Sequence, residues 1–380
     1  MYQSAASMFK NKKVLILGFG REGMSTYRFL RNMYPDMHLT IADKNEIKLD
    51  DKNVTLICGD SYMDSLNDFD IVMKSPGIAF LDVDIKDGTL VTCQTDLFLK
   101  FAPCRKVGIT GSKGKTTTST LIYDMLKEGG FDARLIGNIG VPVLEDINTV
   151  TPETIAVIEM SSHQLEFTTS SPEVAVLTNI YEEHLDHYRD GFRGYVNAKL
   201  NIVRRQKESD TFIYNATQGL DGLCDLGKIK SHKVGVKKDA PLPFAVNNEH
   251  LLGEHNRQDI LFALEAAKHF GVDTAAAERA VEKFSGIEHR MEKVGTFRGI
   301  TFYNDCIATI PHAVECAVEA LKNVDTLIFG GMDRGLDYSE FENYLKKSNI
   351  KNLIGTPATG HKICDKIEGA PSKGFGEVGC

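Results

Sequence analysis

Short apolar runs of four or five residues recur along the chain, each followed by a polar or glycine-rich turn and then by apolar positions three and four apart. That alternation predicts strands and helices in βαβ order, and so parallel sheets covered by helices. Lys13-Val-Leu-Ile-Leu17 reads as a buried strand, followed by a helix with Met24, Tyr27 and Leu30 on one face. Further strands are predicted at Leu39–Ala42, Val54–Ile57, Ile71–Met73 and Leu90–Val91, then a helix over Thr95–Ala102 that Pro103 ends. A strand ending near Ile109 leads into a helix from about Gly114 to Glu128, with Leu121, Ile122, Met125 and Leu126 inward and Gly129-Gly130 as its stop. Strands follow at Thr154–Ile158 and Val174–Leu177, and Tyr195–Lys199 lies on a helix. The stretch from Thr211 to His250 is weakly patterned and suggests no function. Gly253 opens a helix with Ile260, Leu261, Ala263, Leu264 and Ala267 inward. Three strand–helix units are predicted near 300–321, 326–347 and 352–368, before a glycine-rich end. A doubly wound domain has about five or six strands, so the last one reads as incomplete, with an unpaired sheet edge. The expected domains are 1–103, 104–287 and 288–380.

Composition narrows the class. A net charge of −8 over 380 residues argues against non-specific nucleic-acid binding. No apolar run approaches the roughly 18 residues of a membrane span, and the start lacks the apolar core of a signal peptide. The eight cysteines are scattered, without Cys-x-x-Cys, which suits reduced thiols in a cytoplasm and opposes a zinc site or disulfide framework.

The chemistry concentrates at Val107-Gly-Ile-Thr-Gly-Ser-Lys-Gly-Lys-Thr-Thr-Thr118. A strand, a glycine turn and a helix start aim backbone N–H groups at one point, where a phosphate fits. Gly111, Ser112, Lys113, Gly114 and Thr117 form the cradle. Lys115 can reach the terminal phosphates of ATP, and the Thr116 hydroxyl can ligate Mg²⁺. The spacing is irregular, with Ile109 where the usual phosphate loop has Gly. A second fingerprint, Gly18-Phe-Gly20-Arg21-Glu22-Gly23 with Asp43 after the next strand, fits NAD or a nucleotide-sugar diphosphate equally well. Ser75-Pro76-Gly77 after a strand is either a crevice lining or a plain turn. Glu159, at the end of its strand, suits a Mg²⁺ ligand. The loop from Asn179 to Tyr188 holds acids and His184 but no His-Glu-x-x-His, so Mg²⁺ or Mn²⁺ suits it better than zinc. By itself, Lys199 reads as a solvated helix lysine and Asn256 as a cap.

Eight segments in order resemble the Mur ligases of peptidoglycan synthesis over nearly the whole length. They are Thr110-Gly-Ser-Lys-Gly-Lys-Thr116, Gly137-Asn-Ile-Gly140, Glu159-Met-Ser-Ser-His-Gln-Leu-Glu166, Asn179-Ile-Tyr-Glu-Glu-His-Leu-Asp186, Ala198-Lys-Leu200, Gly253-Glu-His-Asn256, His289-Arg-Met-Glu292 and Asn304-Asp-Cys-Ile-Ala-Thr309. The resemblance implies an α/β protein of three domains: a Rossmann-like N-terminal domain, a central P-loop domain and an incomplete Rossmann-like C-terminal domain. It implies a monomeric cytoplasmic ligase of cell-wall synthesis, without nucleic-acid or membrane partners, that uses ATP and two Mg²⁺ ions. The substrates would be UDP-N-acetylmuramoyl-L-alanine and glutamate, joined through an acyl phosphate.

The same resemblance implies roles by position. Lys115 would hold phosphates. Thr116, Glu159, His184 and a carbamylated Lys199 would serve the metals, with Arg290 completing the catalytic set. Asn138, Asn256, His289, Arg290 and Asp305 would contact the nucleotide. Gly20, Arg21, Glu22, Gly23, Asp43, Ser75, Pro76, Gly77, Asn138 and His184 would hold the UDP-sugar, which replaces the NAD reading. Thr309 and Arg334 would hold glutamate. Cys306 and Ile307 stand where the family has Ser and Lys, Asp259 stands where an amide is common, and Gly330-Gly-Met-Asp-Arg-Gly335 is a variant form. These departures keep L-glutamate open as the alternative to D-glutamate, and the short last domain keeps open a nucleotide-binding protein without turnover.

Overall fold

The computed structural model describes residues 7–139, 141–333, 335–367 and 374–377; two residues the sequence singles out, Gly140 and Arg334, lie outside them. The chain divides into two compact units, Met1–Ala245 with Gln258–Lys283, and Val246–Arg257 with Phe284–Cys380.

The first unit holds two parallel sheets, each built around a continuous apolar run, as expected of strands covered on both faces. In the first sheet β1 (Val14–Leu17), β2 (Leu39–Asp43), β3 (Val54–Cys58), β4 (Ile71–Lys74) and β5 (Leu90–Thr92) take the order β3-β2-β1-β4-β5. The helix α1 (Arg21–Met33) follows β1, and α2 (Gln94–Phe101) follows β5. A Cβ added at Gly23 would fall 1.9 Å from the Gly18 carbonyl oxygen, so only glycine lets α1 lie this close to the strand end. That approach fixes which way the helix faces. Gly23, Ser25, Thr26, Phe29 and Leu30 turn inward, while Met24, expected inside, is 39% exposed.

The second sheet has six strands in the order β11-β10-β9-β6-β8-β7: β6 (Arg105–Thr110), β7 (Ala133–Gly137), β8 (Ile155–Glu159), β9 (Val174–Leu177), β10 (Thr211–Asn215) and β11 (His232–Val236). The last two come from the stretch whose pattern was too weak to assign. The helix α3 (Lys115–Glu128) opens directly after the glycine turn and is capped by Gly114 at φ 82°. Its four expected core residues, Leu121, Ile122, Met125 and Leu126, are completely buried, each stabilising the fold by about 2 kcal/mol. Three more helices complete the part that concerns the site: α4 (Val143–Asp146), α5 (Ser162–Leu165) and α6 (Gly191–Arg204).

In the second unit β12 (Glu292–Phe297) and β13 (Ile300–Asn304) form an antiparallel hairpin. The strand near 300 and the helix after it, Pro311–Leu321, are as expected, but the strand pairs in an antiparallel hairpin and not in the parallel sheet of a doubly wound domain. Arg298 (φ 51°) and Gly299 (φ 83°) make a two-residue turn with both φ positive, the kind whose twist matches a hairpin. Downstream, β14 (Thr326–Gly330), β15 (Asn352–Thr356) and β16 (Gly374–Glu377) pair in parallel in that order. Their core is built on Phe341, Leu345, Leu353, Ile363 and Ile367. Among the described residues β14 pairs with β15 alone, and its Ile328 is 60% exposed.

Candidate active site

The first pocket, about 390 Å³, opens where β1, β2 and β4 end. In this sheet β1 lies between β2 and β4, so the chain turns left and right from adjacent strands and leaves a crevice above them. Gly20, Arg21, Glu22, Asp43, Ser75, Pro76 and Gly77 all line it, as the sequence suggested, while Gly23 packs against the Gly18 carbonyl instead. Lys44, Asn45, Tyr62 and Ile78 also line it and carried no sequence signal. Asp43 is locked by its neighbours: one carboxylate oxygen accepts the Phe19 N–H at 2.7 Å, and the other accepts the Asn45 N–H at 2.8 Å. Glu22 accepts a hydrogen bond from Gln164 at 2.8 Å, and burial raises its pKa.

Beside this pocket, Lys74 ends β4 in a buried position. Its ammonium pairs with Glu166 at 3.1 Å and lies over the rings of Phe80 and Phe167. Burial lowers its pKa, against the pull of Glu166. Glu166 also bonds His187 at 3.2 Å.

The second site is the phosphate loop. Gly111, at φ 153°, crosses so close to β9 that a Cβ there would meet the Thr178 hydroxyl at 1.9 Å. Thr178 Oγ1 donates to the Lys113 carbonyl, and the Lys113 N–H donates to Asn179 Oδ1 at 2.8 Å. Ser112 Oγ lies 2.6 Å from the Tyr195 hydroxyl and accepts the Tyr181 N–H at 2.8 Å. These bonds hold the loop open at the start of α3, where helix N–H groups favour an anion. Lys115 Nζ donates to the carbonyls of Gly111 and Ser112, both at 2.9 Å, which keeps its ammonium over the loop. Lys113 pairs with Glu183 at 3.0 Å; burial opposes the ionised Glu183, but Lys113 and then Lys115 hold its pKa down. Behind the loop the Asp259 carboxylate accepts from Thr118 at 3.2 Å and abuts Gly114.

Three residues the sequence placed far apart gather beside this loop. Lys199 is 2% exposed; its Nζ donates to the Gly111 carbonyl at 2.7 Å and lies over the Tyr195 ring. Burial, then the Lys115 ammonium, drive its pKa well below that of a free lysine. Its charged form is disfavoured there, contrary to the solvated lysine that the residue alone suggests. Glu159, 1% exposed, accepts from Asn138 Nδ2 at 2.7 Å through Oε1, while its Oε2 is buried without a hydrogen-bond partner. A buried carboxylate oxygen left over in this way suits a hard cation. His184, held at φ 55°, packs edge-on against His163 at 4.8 Å, and His163 stacks on His187 at 3.9 Å. Burial, reinforced by the two neighbouring imidazoles, pushes His163 down to about 3. Thr116 lies in the first turn of α3.

In the second unit, the hairpin brings three further candidates together. The Met291 N–H donates to Asp305 at 3.0 Å, His289 Nδ1 lies 2.8 Å from the Asn304 amide, and Arg290 Nε is buried without a partner. Asn256 is buried and donates to the Leu252 carbonyl at 2.8 Å. Thr309 is partly buried just before Ile310, and Arg334 lies outside the described residues.

Comparison with known proteins finds relatives over most of the chain. The family model for the Mur ligase MurD-like N-terminal domain matches residues 12–91, and that for the Mur ligase middle domain matches residues 109–241. The chain is 33% identical to the UDP-N-acetylmuramoylalanine–D-glutamate ligase of Clostridium kluyveri, over 94% of this chain and 83% of that one. It is 34% identical to the same ligase of Ligilactobacillus salivarius, over 89% and 80%. Among solved structures, MurF ligase of Thermotoga maritima in complex with ADP superposes with a TM-score of 0.62 at 16% identity, over 96% of this chain and 85% of that one. UDP-N-acetylmuramate-alanine ligase of the same organism superposes at 0.58 and 19% identity, over 97% and 90%. At these identities the superpositions speak for the fold, while the sequence relatives and the two domain matches speak for descent. The chain belongs to the Mur ligase family.

Proposed function

We propose that the protein joins D-glutamate to the L-alanyl carboxylate of UDP-N-acetylmuramoyl-L-alanine, with ATP cleaved to ADP and phosphate. The pocket above β1 and β4 takes the uridine diphosphate, and the loop before α3 takes the triphosphate. A carboxylate is a poor electrophile. One of its oxygens therefore attacks the γ-phosphorus, ADP leaves, and the mixed anhydride carries the good leaving group the uncatalysed acid lacks. The glutamate amine then attacks the acyl carbon, loses a proton and expels inorganic phosphate.

The residues divide the work. Lys115 and the loop N–H groups stabilise charge on the transferring phosphoryl group. Two Mg²⁺ ions, held by Thr116, Glu159, His184 and Lys199, would neutralise the phosphate oxygens. Lys199, whose charged form is disfavoured by burial and then by Lys115, attacks CO₂ through its nitrogen when unprotonated and loses a proton, and so becomes an anionic carbamate. Asn138, Asn256, His289, Arg290 and Asp305 serve the nucleotide, and Thr309 with Arg334 serves glutamate. The domain limits 1–103, 104–287 and 288–380, a monomeric state and a cytoplasmic site of action complete the proposal.

The observation that carries this reading is the unpartnered Glu159 oxygen, buried on the strand beside the phosphate loop and within electrostatic reach of Lys199. The test is ADP formation from ATP and Mg²⁺ with UDP-N-acetylmuramoyl-L-alanine. Release that depends on D-glutamate supports the proposal. Release that depends on L-glutamate instead reassigns the second substrate, and no release with either refutes ligase activity.

A further inference from the structure

A cavity of about 870 Å³ opens at the far end of α6 and shares no residue with either nucleotide site. Its position follows from the course of the helix. Lys199 on α6 bonds Gly111 at the C-terminal end of β6. Two and six residues on, the Asn201 carbonyl and the Arg205 N–H bond Ser171, which lies just before β9 begins. The helix thus leads from the phosphate-loop end of the strands to their opposite end, where the cavity lies.

Its lining has two parts. Leu200, Val203 and Ile229 are buried and form an apolar floor. Arg204, Arg205 and Lys207 line one bank, and Lys228 and Lys230 line the other. Only two acids, Glu208 and Asp225, share the lining, so five cations face two anions in a chain whose net charge is −8. Neutral partners hold Arg204 in place: its guanidinium donates to Asn201 at 2.9 Å and to Asn197 at 2.8 Å, so it is oriented and its charge is kept. Asp225 pairs only loosely with Lys228, at 3.6 Å in an exposed position, and such pairs are weak. Arg205, Lys207 and Lys230 form no ion pair among the described residues.

A cavity in the usual size range of small-ligand sites, with an apolar floor and an oriented arginine fork, fits one ligand chemistry. We propose that it binds a small amphiphilic anion, an alkyl or aryl phosphate, with the apolar body on the floor and the phosphate between the two basic banks. The claim is independent of the ligase reaction.

The test uses the full chain, with ATP and UDP at saturation, and the fluorescence of anilinonaphthalene sulfonate. One saturable site is expected, and octyl phosphate should displace the dye at a concentration at least about tenfold lower than inorganic phosphate. The double variant R205E/K230E changes five cations against two acids into three against four. It should weaken dye binding at least about tenfold while ATP still binds. Separately, octyl phosphate should slow alkylation of the partly buried Cys224 in the cavity wall, read by peptide mass. Dye displaced by ATP or UDP, equal binding by the variant, equal potency of inorganic phosphate, or an unchanged Cys224 rate would each overturn the proposal.

Discussion

Gly111→Ala would separate the phosphate loop from the rest of the site. The added methyl would lie 1.9 Å from Thr178 Oγ1 and 3.1 Å from its Cβ, where an ordinary contact is about 3.5 Å. The backbone there, at φ 153°, already disfavours any residue with a Cβ. To make room, Thr178 must move and release the Lys113 carbonyl, a partly buried bond worth about 1 kcal/mol. Overpacking adds about 1–3 kcal/mol. If the loop opens rather than the sheet, about 3 kcal/mol falls on the shape that receives phosphate, and ATP affinity drops about 100-fold. Calorimetry would read this directly, with UDP binding unchanged because its pocket lies on the other sheet. Gly20→Ala is the control: nothing lies within 4 Å of a Cβ there, so ATP binding and melting should stay as in the parent protein. A Gly111→Ala protein that binds ATP normally would refute the reasoning.

Two further predictions concern buried charge. Lys74→Met leaves the Glu166 carboxylate without its ammonium and should destabilise the protein by about 3 kcal/mol, whereas adding Glu166→Gln should recover much of the loss; equal melting of the single and double variants would contradict this. Asp124 is pushed up to about 6 by burial and then by Glu128, so the folded state holds its proton more tightly than the unfolded one. Stability is then lost as pH rises from about 3.8 through about 6, and Asp124→Asn should raise the melting temperature above that range but not near its lower end. A shift of the same size at both ends would sink the argument.

The sequence disclosed most of this where one local rule decided the outcome. The phosphate loop was legible because strand, glycines, Lys-Thr and helix occur in fixed order, and the inward face of α3 because its four large apolar residues repeat at helical spacing. Met24 misled because the facing of α1 is set by Gly23 against Gly18, a contact across the chain rather than a periodicity. The hairpin of β12 and β13 was missed although Arg298-Gly299, between Thr296-Phe297 and Ile300-Thr-Phe302, carries its turn. Lys199 was the instructive case. It stands four residues after Tyr195 and four before Val203, on the apolar stripe of α6, and a lysine in that position is a candidate for burial. What no local pattern could supply is that this stripe presses on the phosphate loop, or that Glu159 keeps one oxygen unpartnered there.

The central claim is that the alanyl carboxylate is activated by phosphorylation beside Lys115 and Glu159. The most direct measurement uses UDP-N-acetylmuramoyl-L-alanine with heavy oxygen in both positions of that carboxylate, and mass analysis of the phosphate released. Passage through an acyl phosphate predicts a single heavy oxygen in each phosphate formed and the other retained in the amide. Unlabelled phosphate would mean that water, not the substrate, attacks ATP, and would contradict the account.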